Sequence, residues 1–339
     1  MQATRRTFLT GALAATATGL PRQTAMAQAT ELKLTSFVPP THVIWADVLM
    51  PWAKEIEGKS GGKITVRGFP SMQLGGKPPE LYRQVVQGIA DLTFTLPGYT
   101  SGDFPMMALT ELPGTAKDAE DGTRKLWKNF DQFLARDFKD TKVLMLWNSD
   151  SAGLMCREKP VRTWEDVKGM KIRTPSAAQA AQIAAMGATP IPMPITQVYN
   201  SLERGVIDAA MVPASVGLDF KVIEVAKYYT YNAPLGHSPF LVAMNKQRYD
   251  GLPADVKKAI DDSTGLQLSL KGAAIYDKQN QATLAAVKKD SNKELILLSD
   301  AENKRWRDSF KSLIQAEADK ADKAGLPGAG LVKAYQLLS

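Results

Sequence analysis

One ten-residue pattern occurs twice in this chain. Tyr82–Asp91 reads YRQVVQGIAD and Tyr199–Asp208 reads YNSLERGVID. In each, Tyr is followed six residues later by Gly and three further on by Asp, ahead of an apolar run, LTFTLP or AAMVP. Such a segment reads as a helix closed by Gly88 or Gly205, a tight turn, and a buried strand. Two units of one design imply two similarly built α/β lobes. A crevice between lobes is a natural seat for a small molecule.

The first residues read as an address rather than as fold. Arg5 and Arg6 precede Phe8-Leu9, an apolar small-residue stretch runs to Leu20, and Ala25-Met26-Ala27 offers a cleavage site. The pattern is that of an export signal of the twin-arginine type over residues 1–27, removed to leave a periplasmic chain. The stretch is too short and too rich in Ala, Thr and Gly for a membrane anchor. Without Arg5, Arg6 and Arg22 the formal charge of +7 falls to +4. No basic run accompanies it, so a nucleic-acid partner has no footprint. Cys156 is the single cysteine, which excludes an internal disulfide.

Strand and helix patterns alternate along the rest. LKLTSF, KITVRGF, VLMLWN, MKIRTP and FLVAMN read as strands beside the two in the repeats. Helices fit 41–59, 119–133, 176–186, a long charged stretch over 253–289, and 300–323. This order predicts α/β lobes with mainly parallel sheets. The chain is expected to pass between lobes near 150 and again near 236. Residues 28–152 with 237–275 then form lobe I, and 153–236 with 276–339 form lobe II.

Ligands of open α/β sheets meet the carboxyl ends of strands. The two repeated strands run into Pro97-Gly98-Tyr99 and Pro213-Ala214-Ser215, which fit either a ligand wall or plain surface turns. Arg173 ends MKIRTP just before Thr174-Pro175-Ser176, a helix entry whose free N–H groups favour an anion. A guanidinium there suits a carboxylate gripped by two parallel bonds, although a surface arginine at a strand end has the same local sequence. Arg67 in KITVRGFPS is open to the same two readings.

Catalytic patterns are missing. The two histidines, His42 and His237, have no ligand neighbours at metal-binding spacing. No nucleophile elbow or phosphate loop occurs. Glu111 and Asp150 are scattered carboxylates. No enzyme activity, cofactor or metal is therefore expected.

These residues resemble a known family, the periplasmic solute-binding proteins of TRAP transporters (the DctP-like group). The resemblance spans nearly all of the chain after residue 27. It is carried by KSGGKITVRGFPSMQLGG, QGIADLTF, TWEDVKGMKIRTPS, MGATPIPMPITQVYNSLERGVIDAAMVP and FLVAMNK. It implies a two-lobed periplasmic binding protein fold, with hinge strands and a long helix spanning both lobes. It also implies capture of an organic acid by lobe closure and delivery to a membrane permease, the only tie to a membrane. The carboxylate-gripping arginine of the family falls on Arg173.

Departures from the family pattern bear on the ligand. Met155 stands where many relatives carry a further arginine, and Met211-Val212-Pro213 replaces the more polar E-N-P. Losing these groups disfavours ligands with many hydroxyls or a second carboxylate, since such groups would go unpaired. The expected ligand is an aromatic or 2-oxo/2-hydroxy aromatic carboxylate, held against Arg173 and Ser176 of lobe II and Gly98, Tyr99 and the Thr41–His42 turn of lobe I. Trp45, Trp147, Met155, Met211 and Phe240 are candidate walls, with Val212 and Pro213 beside them; Trp45 and Phe240 fit core positions equally well. A small aliphatic keto or hydroxy acid, a C4-dicarboxylate, a sensor-linked binding protein and a periplasmic enzyme are the alternatives. A monomer is expected.

Overall fold

The structure is a computed structural model and describes residues 29–338, so the expected export signal lies outside the described residues. Among the described residues there are eleven strands: β1 (Thr30–Ser36), β2 (Ile64–Phe69), β3 (Leu92–Thr95), β4 (Thr141–Asn148), β5 (Ala152–Cys156), β6 (Lys171–Thr174), β7 (Thr189–Pro192), β8 (Ala209–Pro213), β9 (Tyr228–Tyr231), β10 (Pro239–Asn245) and β11 (Glu294–Leu297). They form two sheets, β2-β1-β3-β10-β4 and β11-β9-β5-β8-β6-β7. Each sheet is covered by helices and forms one α/β lobe.

The repeated motif does the same work in both lobes. The helices Leu81–Val86 and Val198–Glu203 are each followed by the glycine of the motif, Gly88 at φ 73° and Gly205 at φ 68°. A side chain would strain that backbone. The aspartates then pin the next strand to its neighbour. Asp91 Oδ2 accepts the Lys33 N–H of β1 at 2.8 Å, and Asp208 Oδ2 accepts the Lys171 N–H of β6 at 2.7 Å. Beyond them β3 and β8, both fully buried, run into Pro97 and Pro213 at equivalent sheet edges.

Parallel pairing joins β1 to β2 and β3, and β6 to β7 and β8. The expectation of mainly parallel sheets misses the two crossing points. The chain leaves the first sheet after β4 and enters the second as β5, antiparallel to β8 and β9. It returns after β9 as β10, antiparallel to β3 and β4. A chain arriving from the other lobe enters its new sheet from the opposite end, so each arrival strand runs against its hosts.

Other expectations need local correction. The stretch 253–289 is two helices, Ala254–Asp261 and Leu266–Lys289, broken where Gly265 takes φ 83°. Within the helix over 43–59, Trp45–Leu49 is a π-type turn followed by Met50–Lys59. Pro51 lies at that junction and has no N–H to give, which accounts for the shifted ladder. Strands β5, β7, β9 and β11 escaped the sequence reading because each is only four or five residues long, and β5, β7 and β9 carry Gly, Pro or Thr.

The 24-residue helix Leu266–Lys289 ties the lobes together. At its start Gly265 N–H donates to Leu144 O at 2.7 Å, and Ser269 Oγ accepts the Leu146 N–H at 3.0 Å, both on β4. Its end leads to β11, the edge of the other sheet. Gly272 lets it lie flat on Trp147, where an added Cβ would come within 3.0 Å of the indole. Trp147 itself stacks on Phe94 at 5.3 Å and on Phe240 at 6.0 Å and is fully buried. No described helix is long and apolar enough to cross a membrane.

Trp147→Ala should lower the unfolding free energy by about 3–5 kcal/mol, the range for emptying a buried large aromatic site. Urea denaturation checks this; a shift near zero would show that the stack does not hold the lobes.

Candidate ligand-binding site

β6 places Arg173 between β7 and β8, opposite Ile191 and Ala210. Its side chain is 2 % exposed. Nε donates to Met193 O at 2.9 Å and Nη1 to Met211 O at 3.2 Å. Neutral carbonyls thus hold the fork at its base, and the Tyr99 hydroxyl lies against it from the other lobe. Among the described residues no carboxylate pairs with Arg173. Burial lowers its pKa, yet a guanidinium keeps its proton in proteins. The result is a buried cation lacking a counter-ion from its own chain, a costly arrangement that an anion entering the cleft would relieve.

Tyr99 follows the Pro97-Gly98 stop of β3. Its hydroxyl accepts the Ile195 N–H of the opposite lobe at 3.0 Å. Burial raises its pKa and the Arg173 cation partly offsets this, so the phenol stays protonated at neutral pH. Nearby, Ser101 Oγ accepts the Ala177 N–H at 3.3 Å, at the start of the helix Ala177–Ala185. Ser176 caps that helix through Gln179 N–H at 3.1 Å.

Arg173 and Tyr99 face a narrow, nearly filled chamber between the lobes, lined also by Phe37, His42, Leu96, Pro175, Ile195, Val212, Pro213, Val216, Phe220, Ser238 and Phe240. The walls are mostly apolar and aromatic. Phe37 meets Tyr99 edge-on at 5.6 Å and stacks with Phe220 at 6.4 Å and 17°. Aromatic side chains of both lobes therefore meet across the cleft.

His42 adds no charge. Its Nδ1 accepts the Ile44 N–H at 3.2 Å, which leaves the proton on Nε2. Nε2 faces Asp219 Oδ2 at 3.5 Å, but burial pushes the imidazole down to about 3. The contact is a neutral N–H facing a carboxyl across a long gap, rather than an ion pair.

Of the residues expected from sequence, the structure gathers Arg173, Tyr99, His42, Val212, Pro213 and Phe240 around the chamber. The others lie behind it. Thr41 is exposed. Trp45 packs over Gly68 of β2, where an added Cβ would come 2.5 Å from its ring. Trp147 backs Phe240 from the hinge side, and Met155 is fully buried against Gly217. Met211 contributes its carbonyl to Arg173 while its side chain joins the core. Gly98 and Ser176 contact each other and Glu111. The sequence reading missed Phe37, Leu96, Pro175, Ile195, Val216, Phe220 and Ser238. Phe37 and Leu96 end the strand patterns LKLTSF and LTFTLP, so the carboxyl-end rule reaches both; Phe220 sits in a stretch with no periodicity to mark it.

A two-lobed α/β protein with a buried cation in an aromatic inter-lobe chamber belongs to the class that closes over small anions. Comparison with known proteins agrees. The sequence profile of the bacterial extracellular solute-binding protein family 7 (DctP) matches residues 34–320, and the chain belongs to this family of TRAP-transporter periplasmic binding proteins. A marine metagenome TRAP solute-binding protein, specific for aromatic acid ligands and solved with metahydroxyphenylacetate, is 33 % identical with a TM-score of 0.86, over 91 % of this chain and 98 % of that one. A TRAP solute-binding protein from Rhodoferax ferrireducens T118, solved with copurified benzoate, is 30 % identical with a TM-score of 0.86 over the same shares. The 2,3-diketo-L-gulonate-binding periplasmic protein YiaO of Escherichia coli K12 is 29 % identical, over 78 % of this chain and 82 % of its own.

Tyr99→Phe should lower stability by about 1 kcal/mol, because the Ile195 N–H loses its acceptor. Equilibrium denaturation reads this directly; an unchanged midpoint would mean that water replaces the hydroxyl without loss.

Proposed function

We propose that this protein is the periplasmic receptor of a TRAP transporter and captures an aromatic monocarboxylate, a benzoate-like acid or its 2-oxo or 2-hydroxy relatives. The observation that carries this reading is the buried Arg173 guanidinium, unpaired by any acidic side chain among the described residues, facing an aromatic-walled chamber. The carboxylate would take the free side of the Arg173 fork and the Tyr99 hydroxyl, and the ring would lie among Phe37, Phe220 and Phe240. Val212 and Pro213 fill the wall where a polar residue would answer a sugar-acid hydroxyl, so a ligand like that of YiaO would leave its hydroxyl groups unpaired. The aromatic acids bound by the two solved relatives fit the same description.

Residues 28–152 with 237–275 would close against 153–236 with 276–339, after removal of residues 1–27 on export. The acid bridges the lobes, and its preference for the closed form sets how far closure proceeds. Delivery to the permease follows reopening. Ligand would be bound and released without chemical change, which sets this reading apart from a periplasmic enzyme.

Titration calorimetry against benzoate, mandelate, pyruvate and succinate tests the proposal. Benzoate or mandelate should bind more tightly than the two aliphatic acids. Arg173→Lys should weaken binding by about tenfold or more, since the charge persists while the fork is lost. Undiminished binding by Arg173→Ala would overturn the site, and preference for succinate would overturn the ligand class.

A further inference from the structure

The chamber is not the only place where buried charge meets the lobe boundary. Glu111 follows the helix Pro105–Leu109 and is 2 % exposed. Its Oε2 accepts from Ser176 Oγ at 2.5 Å and from Gln179 Nε2 at 3.2 Å, both at the start of the opposite lobe's helix Ala177–Ala185. The same Gln179 amide donates to His237 O at 3.1 Å and Ser238 Oγ at 2.9 Å, in the crossing segment between the sheets. From its own lobe Gly98 packs on the carboxylate, where a Cβ would come 2.8 Å from Oε1. Glu111 is therefore enclosed by groups from both lobes and from the hinge.

Among the described residues no cation is bonded to it; Lys320 on the neighbouring helix Asp300–Lys323 is exposed and pairs with Glu317 at 3.4 Å. The helices Pro105–Leu109 and Ala177–Ala185 carry no titratable side chain. In the segment Pro97–Asp103 the only one besides Tyr99 is Asp103, which turns outward to Arg83 at 3.4 Å. The crossing segment brings His237, whose pKa burial lowers; the neutral ring donates from Nδ1 to Ser149 O at 2.8 Å, and its bare Nε2 faces the Ser151 hydroxyl at 3.3 Å. A carboxylate held by two uncharged donors in a closed interface is poorly compensated. Burial pushes Glu111 up to about 7, and the Ser176 and Gln179 bonds only partly oppose it.

We propose that the protein captures its acid together with one proton, held on Glu111. The inference rests on the lobe-closing reading above. With the cleft open, Ser176 and Gln179 withdraw, water reaches the carboxylate, and it ionises as an ordinary glutamate. Closure removes that water, and the carboxylate takes one proton from solvent to become the neutral acid. Reopening returns it. The Arg173 cation is then balanced by the ligand anion, and no uncompensated charge remains in the closed cleft. Because the closed form holds the proton more tightly than the open form, affinity is highest at low pH and falls as pH rises through about 7.

The test measures the benzoate dissociation constant at pH 6 and pH 8, and proton uptake by calorimetry in buffers of different ionisation heat. The wild type should bind about tenfold more weakly at pH 8 than at pH 6 and take up protons on binding near pH 7. Glu111→Gln should remove that loss and that uptake. Asp150, the other carboxyl at the crossing, accepts the Ser215 N–H at 3.2 Å and is also pushed up to about 7, so Asp150→Asn is run alongside. Asp150→Asn should keep that loss and that uptake. A wild type indifferent to pH, or a Glu111→Gln variant that keeps the full dependence, overturns the proposal. Should no aromatic acid bind at either pH, the ligand assignment fails, and carbon-13 NMR titration of the Glu111 side chain in protein locked closed by a disulfide engineered across the cleft still decides. An apparent pKa near 7 then supports the proton site, and one near 4.5 overturns it.

Discussion

Neither sheet of this protein is completed by a continuous stretch of chain, and most of the architecture follows from that constraint. β10 fills the slot between β3 and β4, and β5 the slot between β8 and β9, each arriving from the other lobe and running against its neighbours. Two covalent crossings and the helix Leu266–Lys289 then fix where the lobes can pivot. The aromatic stack of Phe94, Trp147 and Phe240 sits on this pivot, with Gly272 giving the helix room to press on it. Closure as proposed would thus be a restricted motion about a packed axis.

The binding chamber inherits its character from the same geometry. Strand β8 ends in Pro213 and β3 runs on into Pro97 at the facing sheet edge, so backbone and apolar side chains line the gap. Into this space β6 delivers one guanidinium steadied by carbonyls that cannot neutralise it. A salt-bridged arginine would be spent on its partner; this one keeps its charge for a guest. The neutral His42 and the protonated Tyr99 leave that field undiluted. The proposed selectivity for a single negative group on a flat body rests on what the walls lack as much as on what they offer.

The repeated motif was legible in the sequence because its glycines and aspartates answer local requirements. A helix stop needs a left-handed residue, and a neighbouring strand needs an acceptor for its first N–H. Arg173 was legible for a similar reason, lying at a strand end beside a helix entry. The wall was harder to read. Trp45 and Trp147 look like ligand aromatics in composition but serve the core, since burial on either face of a buried strand leaves the same apolar signature. Phe220 was invisible because its position depends on how the two lobes meet, which no local pattern encodes. The short strands β7 and β9 drew their stability from neighbours rather than from their own alternation.

Interleaving also constrains how such carriers can be recombined. A single splice between two related chains, placed anywhere from β5 to β9, would pair half of one pocket with a hinge tailored to another. Transplanting a whole recognition surface requires exchanging several separate segments at once. New cargo preferences are therefore reached more readily by point changes around an intact anion anchor than by shuffling halves.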